Sequence, residues 1–217
     1  VISLQDKSMI GKKIEKLGVR VFDLNLSYKS INFVKLINLF FILKKFNPDI
    51  FHCWMYHANL LGFLYSIFFR KTKVIWNIRQ TLYSLQNEKK LTRLVIFVSK
   101  IISNFSINII YNSKKSLKQH SAYGFRNTNS FFIPNGFIIE NLNQNQKNKI
   151  NKKIRKKFNI PERAIVIGIV ARNHPMKGYD IFFKSLEAIL EKRKDIHVLA
   201  VGRNVNYKNF KHVILKK

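Results

Sequence analysis

The segment Gly168-Ile169-Val170-Ala171-Arg172-Asn173-His174-Pro175-Met176-Lys177-Gly178 delivers two cations, five positions apart, between an apolar run and an amphipathic one. A forked guanidinium and a mobile ammonium at that spacing can both reach the oxygens of one diphosphate, the first by bidentate bonds and the second as a point charge. The apolar run reads as a strand and the amphipathic one as a helix. The pair therefore stands beyond the carboxyl end of a strand and just before a helix N-terminus, both places that favour anions. The chemistry on offer is binding of a diphosphate, with the two cations in the place of a divalent metal. The competing reading is a solvated turn shaped by Pro175 and Gly178.

The elements that would position this loop follow from periodicity. Strands are predicted over 1–5, 19–24, 49–54, 73–78, 107–111 and 130–133, alternating with helices over 9–17, 31–46, 58–70, 91–105 and 114–121. Strands separated by helices at this rhythm make a parallel sheet covered on both faces, so the fold class is α/β. From Glu140 the pattern collapses into ENLNQNQKNKINKKIRKK, read as a basic linker over 140–160 with a short helix near Ile154. Alternation restarts with a strand over 165–171, a helix over 179–191 and a strand over 197–201. The predicted organisation is a first domain over 1–139, the linker, and the start of a second domain over 161–217. The chain opens without Met and closes on Lys216-Lys217, and both ends are read as cut.

Forty Lys and Arg against eleven Asp and Glu give a formal net charge of +29, which draws the chain toward polyanions: acidic lipid headgroups, phosphorylated substrates or nucleic acid. Heavy use of Lys, Asn, Ile and Phe together is also what an AT-rich coding sequence produces. The lone Cys53 cannot form an internal disulfide and fits a reducing compartment. No apolar stretch is long enough to span a bilayer. His52 lies on an apolar strand and reads as an interior histidine; His120, His174, His197 and His212 lack metal-binding spacing, so no metal site is predicted.

Several segments, in order, resemble the large family of retaining glycosyltransferases that includes lipopolysaccharide, capsule and phosphoinositol mannosyl enzymes (family 4, group 1, of GT-B fold). Ala171-Arg172 and Lys177-Gly178 match the family's Gly-Arg and Lys-Gly, with Ala in place of the first Gly. Pro48-Asp49-Ile50-Phe51-His52 and Met55-Tyr56-His57-Ala58-Asn59 look like its strand and cleft-facing loop; Asn112-Ser113, Gly124 and Pro134-Asn135-Gly136 are similar to the signatures that close its first domain. The resemblance covers essentially the whole chain. It implies two Rossmann-like domains, the first nearly complete and the second truncated, and a bacterial enzyme that transfers a sugar from a UDP- or GDP-sugar, with retention, to a polysaccharide or lipid-linked acceptor. Arg172 and Lys177 would be catalytic; His57, Arg79, Asn112, Ser113, Asn135, Gly136 and Gly178 would bind substrate; no cofactor would be needed beyond the nucleotide-sugar. Where many relatives carry a cleft His, this chain has Arg79, which suits a phosphate or an acidic sugar and cannot act as a base. The family's Glu-rich motif and first Gly-rich loop are absent, so the fragment alone is expected to be inactive.

Apolar and basic residues interleave over 33–46 and 91–105, which suggests peripheral contact with the inner face of the cytoplasmic membrane. Core helices with solvated Lys are the alternative. Two rival functions remain. A basic nucleic-acid-binding module would use the +29 charge and 19 Phe, but no aromatic-basic signature is present and no nucleic-acid partner is predicted. A sugar-nucleotide epimerase or dehydrogenase should show a Gly-x-Gly-x-x-Gly turn, which this sequence lacks.

Overall fold

The computed structural model describes residues 1–26, 33–69, 71–83, 85–105 and 107–206, with the side chain of Asn87 excluded. The expected helix limits at Ile31 and Arg70, His212 and the terminal Lys216-Lys217 lie outside the described residues. The chain divides into two compact units, Val1–Phe137 and Ile138–Lys217.

In the first unit, β1 (Ile2–Ser3) and β2 (Phe22–Asp23) pair in parallel around α1 (Ser8–Lys16). After α2 (Phe33–Phe46) comes a four-stranded parallel sheet of β3 (Ile50–Trp54), β4 (Lys73–Ile78), β5 (Asn108–Tyr111) and β6 (Ser130–Phe132), in sequential order. Helices α3 (Met55–Ser66), α4 (Lys90–Ile102) and α5 (Lys114–Tyr123) make the crossovers. The elements alternate as the sequence pattern requires, but the sheet is divided: β1–β2 form their own pair. Leu24, Leu39 and Leu43 form a small core over that pair, while Trp76, Ile78, Ile96, Ile109 and Tyr111 anchor the larger one. Each such large apolar side chain, fully removed from water, contributes on the order of 1.5–3 kcal/mol.

Local chemistry sets the helix ends. Ser113 caps α5 by accepting the Ser116 N–H at 3.0 Å, and Gly124, at φ +105°, ends it in the left-handed conformation. At the other end of the sheet's first crossover, β3 passes into α3 at Met55, φ +70°, three residues earlier than the periodicity indicates.

The second unit opens with α6 (Gln144–Lys157), a 14-residue helix where a linker with only a short helix was expected. It buries no residue, so apolar spacing could not reveal it. A reciprocal capping box starts it: Asn143 accepts from the Gln146 N–H and Gln146 from the Asn143 N–H, both at 2.9 Å. Arg155 ties its last turn to the carbonyls of Pro161 (2.7 Å) and Ala164 (3.1 Å). Then β7 (Ile165–Val170) pairs in parallel with β8 (Ile196–Val201), with α7 (Tyr179–Lys192) between them.

Candidate functional sites at two sheet edges

Because β3 to β6 are all parallel, the residues following each strand gather along one edge. These are Met55–His57, Arg79, Asn112–Ser113 and Asn135–Gly136, the same segments the sequence reading selected in this unit. Of these, the structure joins Arg79 directly to Asn135, a terminal guanidinium N–H donating to Oδ1 at 2.6 Å. The guanidinium carbon lies 4.9 Å from the Trp54 ring centroid, and the Arg79 backbone N–H donates to Met55 Sδ at 3.4 Å. The Arg79 Nε is buried without a partner.

His57 sits in the first turn of α3 and not in a preceding loop. Its Nε2 is buried and unpartnered, and burial lowers its pKa, keeping the ring neutral at physiological pH. Asn112 is half-buried, Gly136 is exposed with open space where a Cβ would stand, and the Ser113 hydroxyl is engaged as the α5 cap. His52 is exposed rather than interior, because β3 is the edge strand of its sheet; it hydrogen-bonds the Asn77 amide at 3.1 Å. Its pKa is lowered by partial burial first and by the Arg79 charge second.

Side chains outside the sequence selection hold this edge in place. The Asn59 amide is fully buried, and its nitrogen, in the orientation the neighbouring carbonyls require, donates to Cys53 O (2.9 Å) and Met55 O (3.2 Å). Ser116 Oγ donates to Gln80 O at 2.6 Å, fastening the loop after β4 to α5. Below it, His120 Nδ1 donates to Ser116 O at 2.8 Å, which leaves Nε2 to accept from the Tyr56 hydroxyl at 2.8 Å. Burial pushes His120 down to about 4 and the Cys53 thiol up to about 12, so neither is charged near neutrality.

In the second unit, Arg172 and Lys177 are both exposed in the loop from β7 to α7, and Gly178 adopts φ +67° at the helix start. The loop is fixed by groups other than its two cations. Ladder bonds continue past β7, from Ala171 N–H to Val201 O and from Asn173 N–H to Arg203 O, each 2.9 Å. The Tyr179 hydroxyl donates to Ala171 O at 2.6 Å. His174 caps the short turn Pro175–Lys177: Nδ1 accepts the Met176 N–H at 3.3 Å and its carbonyl accepts the Lys177 N–H at 2.8 Å. Gly202 allows the closest approach, since a Cβ there would lie 1.8 Å from Ala171 O. Its signal in the sequence was a Gly-Arg pair directly after an apolar strand.

Among the described residues the ion pairs are Lys7 with Glu15 and Asp23, and Arg193 with Asp195; none engages Arg79, Arg172 or Lys177. Among the same residues no three His, Cys, Asp or Glu side chains gather as metal ligands.

Parallel α/β units with cationic and polar groups at the strand ends suit phosphate-bearing ligands, and comparison with known proteins narrows the class to proteins of GT-B fold. The family model for Glycosyltransferase Family 4 matches residues 11–141, more than half of the chain. The chain belongs to glycosyltransferase family 4. It is similar to a glycogen synthase of Clostridium kluyveri, 27% identical over 79% of this chain and 47% of that protein. Among solved structures, Anabaena HepE in complex with UDP and glucose superposes with a TM-score of 0.73 at 17% identity, covering 98% of this chain and 56% of HepE. The UDP-GlcNAc 2-epimerase of Neisseria meningitidis bound to UDP-GlcNAc gives a TM-score of 0.54 at 15% identity, over 97% of this chain and 58% of the epimerase. The chain thus spans about half the length of the proteins it matches.

Proposed function

We propose that the intact protein transfers a sugar from a UDP- or GDP-sugar, with retention of anomeric configuration, to a hydroxyl of a glycan or lipid-linked acceptor. In this reading Arg172 and Lys177 neutralise the diphosphate as it leaves, and no metal or other cofactor takes part. The observation that carries it is the family membership together with two cations that enter no ion pair among the described residues, in a loop anchored at the end of β7 by Tyr179 and the backbone at and after the end of β8. Nucleotide-sugar chemistry is supported by the UDP and glucose seen with HepE and by the glycogen synthase relative.

Preorganised charges aimed at a developing anion act mainly on the transition state. Arg172→Ala in the intact protein should therefore lower kcat by about 10²–10³-fold, with a smaller change in KM for the donor. Release of UDP or GDP from a panel of nucleotide-sugars measures this, and NMR of the product reads the anomeric configuration. Unchanged kcat and KM would refute the assignment of Arg172. Conversion of UDP-GlcNAc to an epimer without transfer would favour the epimerase alternative.

The acceptor side is proposed to lie on the cytoplasmic membrane face. Support comes from exposed apolar residues on α2 (Phe33, Val34, Ile37, Phe41) and α4 (Leu91, Leu94, Phe97, Ile101), interleaved with Lys and Arg on a chain of charge +29. Among the described residues no helix is long and apolar enough to cross a membrane. Sedimentation with anionic liposomes at low salt should carry the protein down, and the effect should fade as salt rises. No binding at low salt would remove the membrane proposal.

A further inference from the structure

The Arg79 guanidinium is held in place but not neutralised. Trp54 covers one face, Asn135 takes one N–H, and Met55 fixes the backbone, while Nε is buried with no acceptor and none of the described ion pairs includes this residue. Its charge reaches His52, where it helps lower the imidazole pKa. A clip that merely joined the β4 and β6 loops would not need a cation, because an amide could bridge to Asn135. A guanidinium with no counter-ion among the described residues favours an anionic ligand, and a stacked, pre-oriented fork loses little entropy in binding a planar anion.

We infer that Arg79 is the receptor for an anionic group, a carboxylate or a phosphate, carried by the sugar acceptor. Calling the ligand an acceptor rests on the glycosyltransferase reading above; the anion site itself does not. Trp54 supplies an apolar wall beside the charge, as carbohydrate sites often require. Asn135 and Met55 set the direction of the fork.

The test uses the intact protein at about 0.15 M salt, where diffuse attraction to a highly basic surface is screened beyond about 8 Å. Calorimetric titration would compare methyl glucuronide (carboxylate), glucose 1-phosphate (phosphate, as on a lipid-linked acceptor) and methyl glucoside (neutral). At least one anionic probe should bind about 10–100-fold more tightly than the neutral one. Whichever does so identifies the source of the anion. Arg79→Gln should erase that difference, and Arg79→Lys, which keeps the charge without the fork, should restore part of it. Equal binding of charged and neutral probes by the wild-type protein overturns the inference without reliance on any variant. So does a parallel loss of UDP affinity in Arg79→Gln, which would assign the site to the donor diphosphate. Nucleotide-sugar turnover is measured separately. Turnover without charge discrimination refutes the anion site alone, and discrimination without turnover refutes the glycosyltransferase reading alone.

Discussion

Gly202→Ala tests whether the loop bearing Arg172 is held by backbone contact with β8. The added carbon would stand 1.8 Å from the Ala171 carbonyl oxygen, 2.4 Å from its carbon and 3.0 Å from the Arg172 nitrogen. Unstrained contacts between non-bonded carbon and its neighbours lie near 3.5–4.0 Å, so the two backbones must separate by more than about 1 Å. None of the three clashing atoms belongs to a side chain that could swing aside. Overpacking of this kind costs about 1–3 kcal/mol. Separation also strains the Ala171 N–H to Val201 O and Asn173 N–H to Arg203 O bonds, each with a net value of about 1 kcal/mol. The expected destabilisation is about 3–5 kcal/mol, a large share of a typical domain's margin. Urea unfolding of the intact protein measures the total, and hydrogen exchange at the Ala171 and Asn173 amides locates it. Gly136→Ala, with nothing within 4 Å of the new carbon, is the control and should shift stability by less than about 0.5 kcal/mol. An unchanged unfolding midpoint together with full amide protection in Gly202→Ala would refute the contact argument.

Ser113→Ala removes the oxygen that accepts the Ser116 N–H at the start of α5 and should destabilise the first unit by about 1 kcal/mol in equilibrium unfolding, whether or not Ser113 touches substrate. His120 gives a pH dependence. Its folded pKa is about 4 against an unfolded value near 6.5, so the unfolded chain binds the proton first as pH falls. Its contribution is complete above about pH 6.5 and is lost progressively down to about pH 4, about 3 kcal/mol in all, and His120→Gln should flatten that part of the stability–pH curve measured by chemical denaturation.

How much could be read in advance differed from element to element for physical reasons. The β4 limits, Lys73–Ile78, coincide with the predicted strand because a short apolar run there ends in polar residues on both sides. The α7 helix was legible from Phe182, Leu186, Ile189 and Leu190 on one face. Helix α6 was not, since a fully solvated helix is written in its capping box and helix-forming Lys, Gln and Arg, not in an apolar stripe. His52 was misplaced because strand periodicity gives the face but not the position of the strand in its sheet. The candidate residues themselves were visible as local motifs. Their coupling was not: Arg79 and Asn135 are 56 positions apart, and the Trp54 ring that covers the guanidinium carries no local mark of that task.

The two edges share a division of labour that bears on where ligands act. Groups that shape the backbone are satisfied: Asn59 on Cys53 and Met55, Ser116 on Gln80, Ser113 on the α5 N-terminus, Tyr179 on Ala171, His174 within its own turn. The cations able to meet a ligand, Arg79, Arg172 and Lys177, enter no ion pair among the described residues. Among the described residues several buried side-chain polar atoms lack a partner, those of Trp76 and Ser99 in the core included, so burial without a partner does not by itself mark a ligand group; what sets Arg79, Arg172 and Lys177 apart is their charge. A fixed frame around cations without counter-ions suits binding, because the frame keeps the geometry when the ligand is absent and the charges act when it arrives. If that division holds, substitutions in the frame should move stability and kcat together, whereas substitutions at the cations should move ligand affinity or kcat with little change in unfolding free energy.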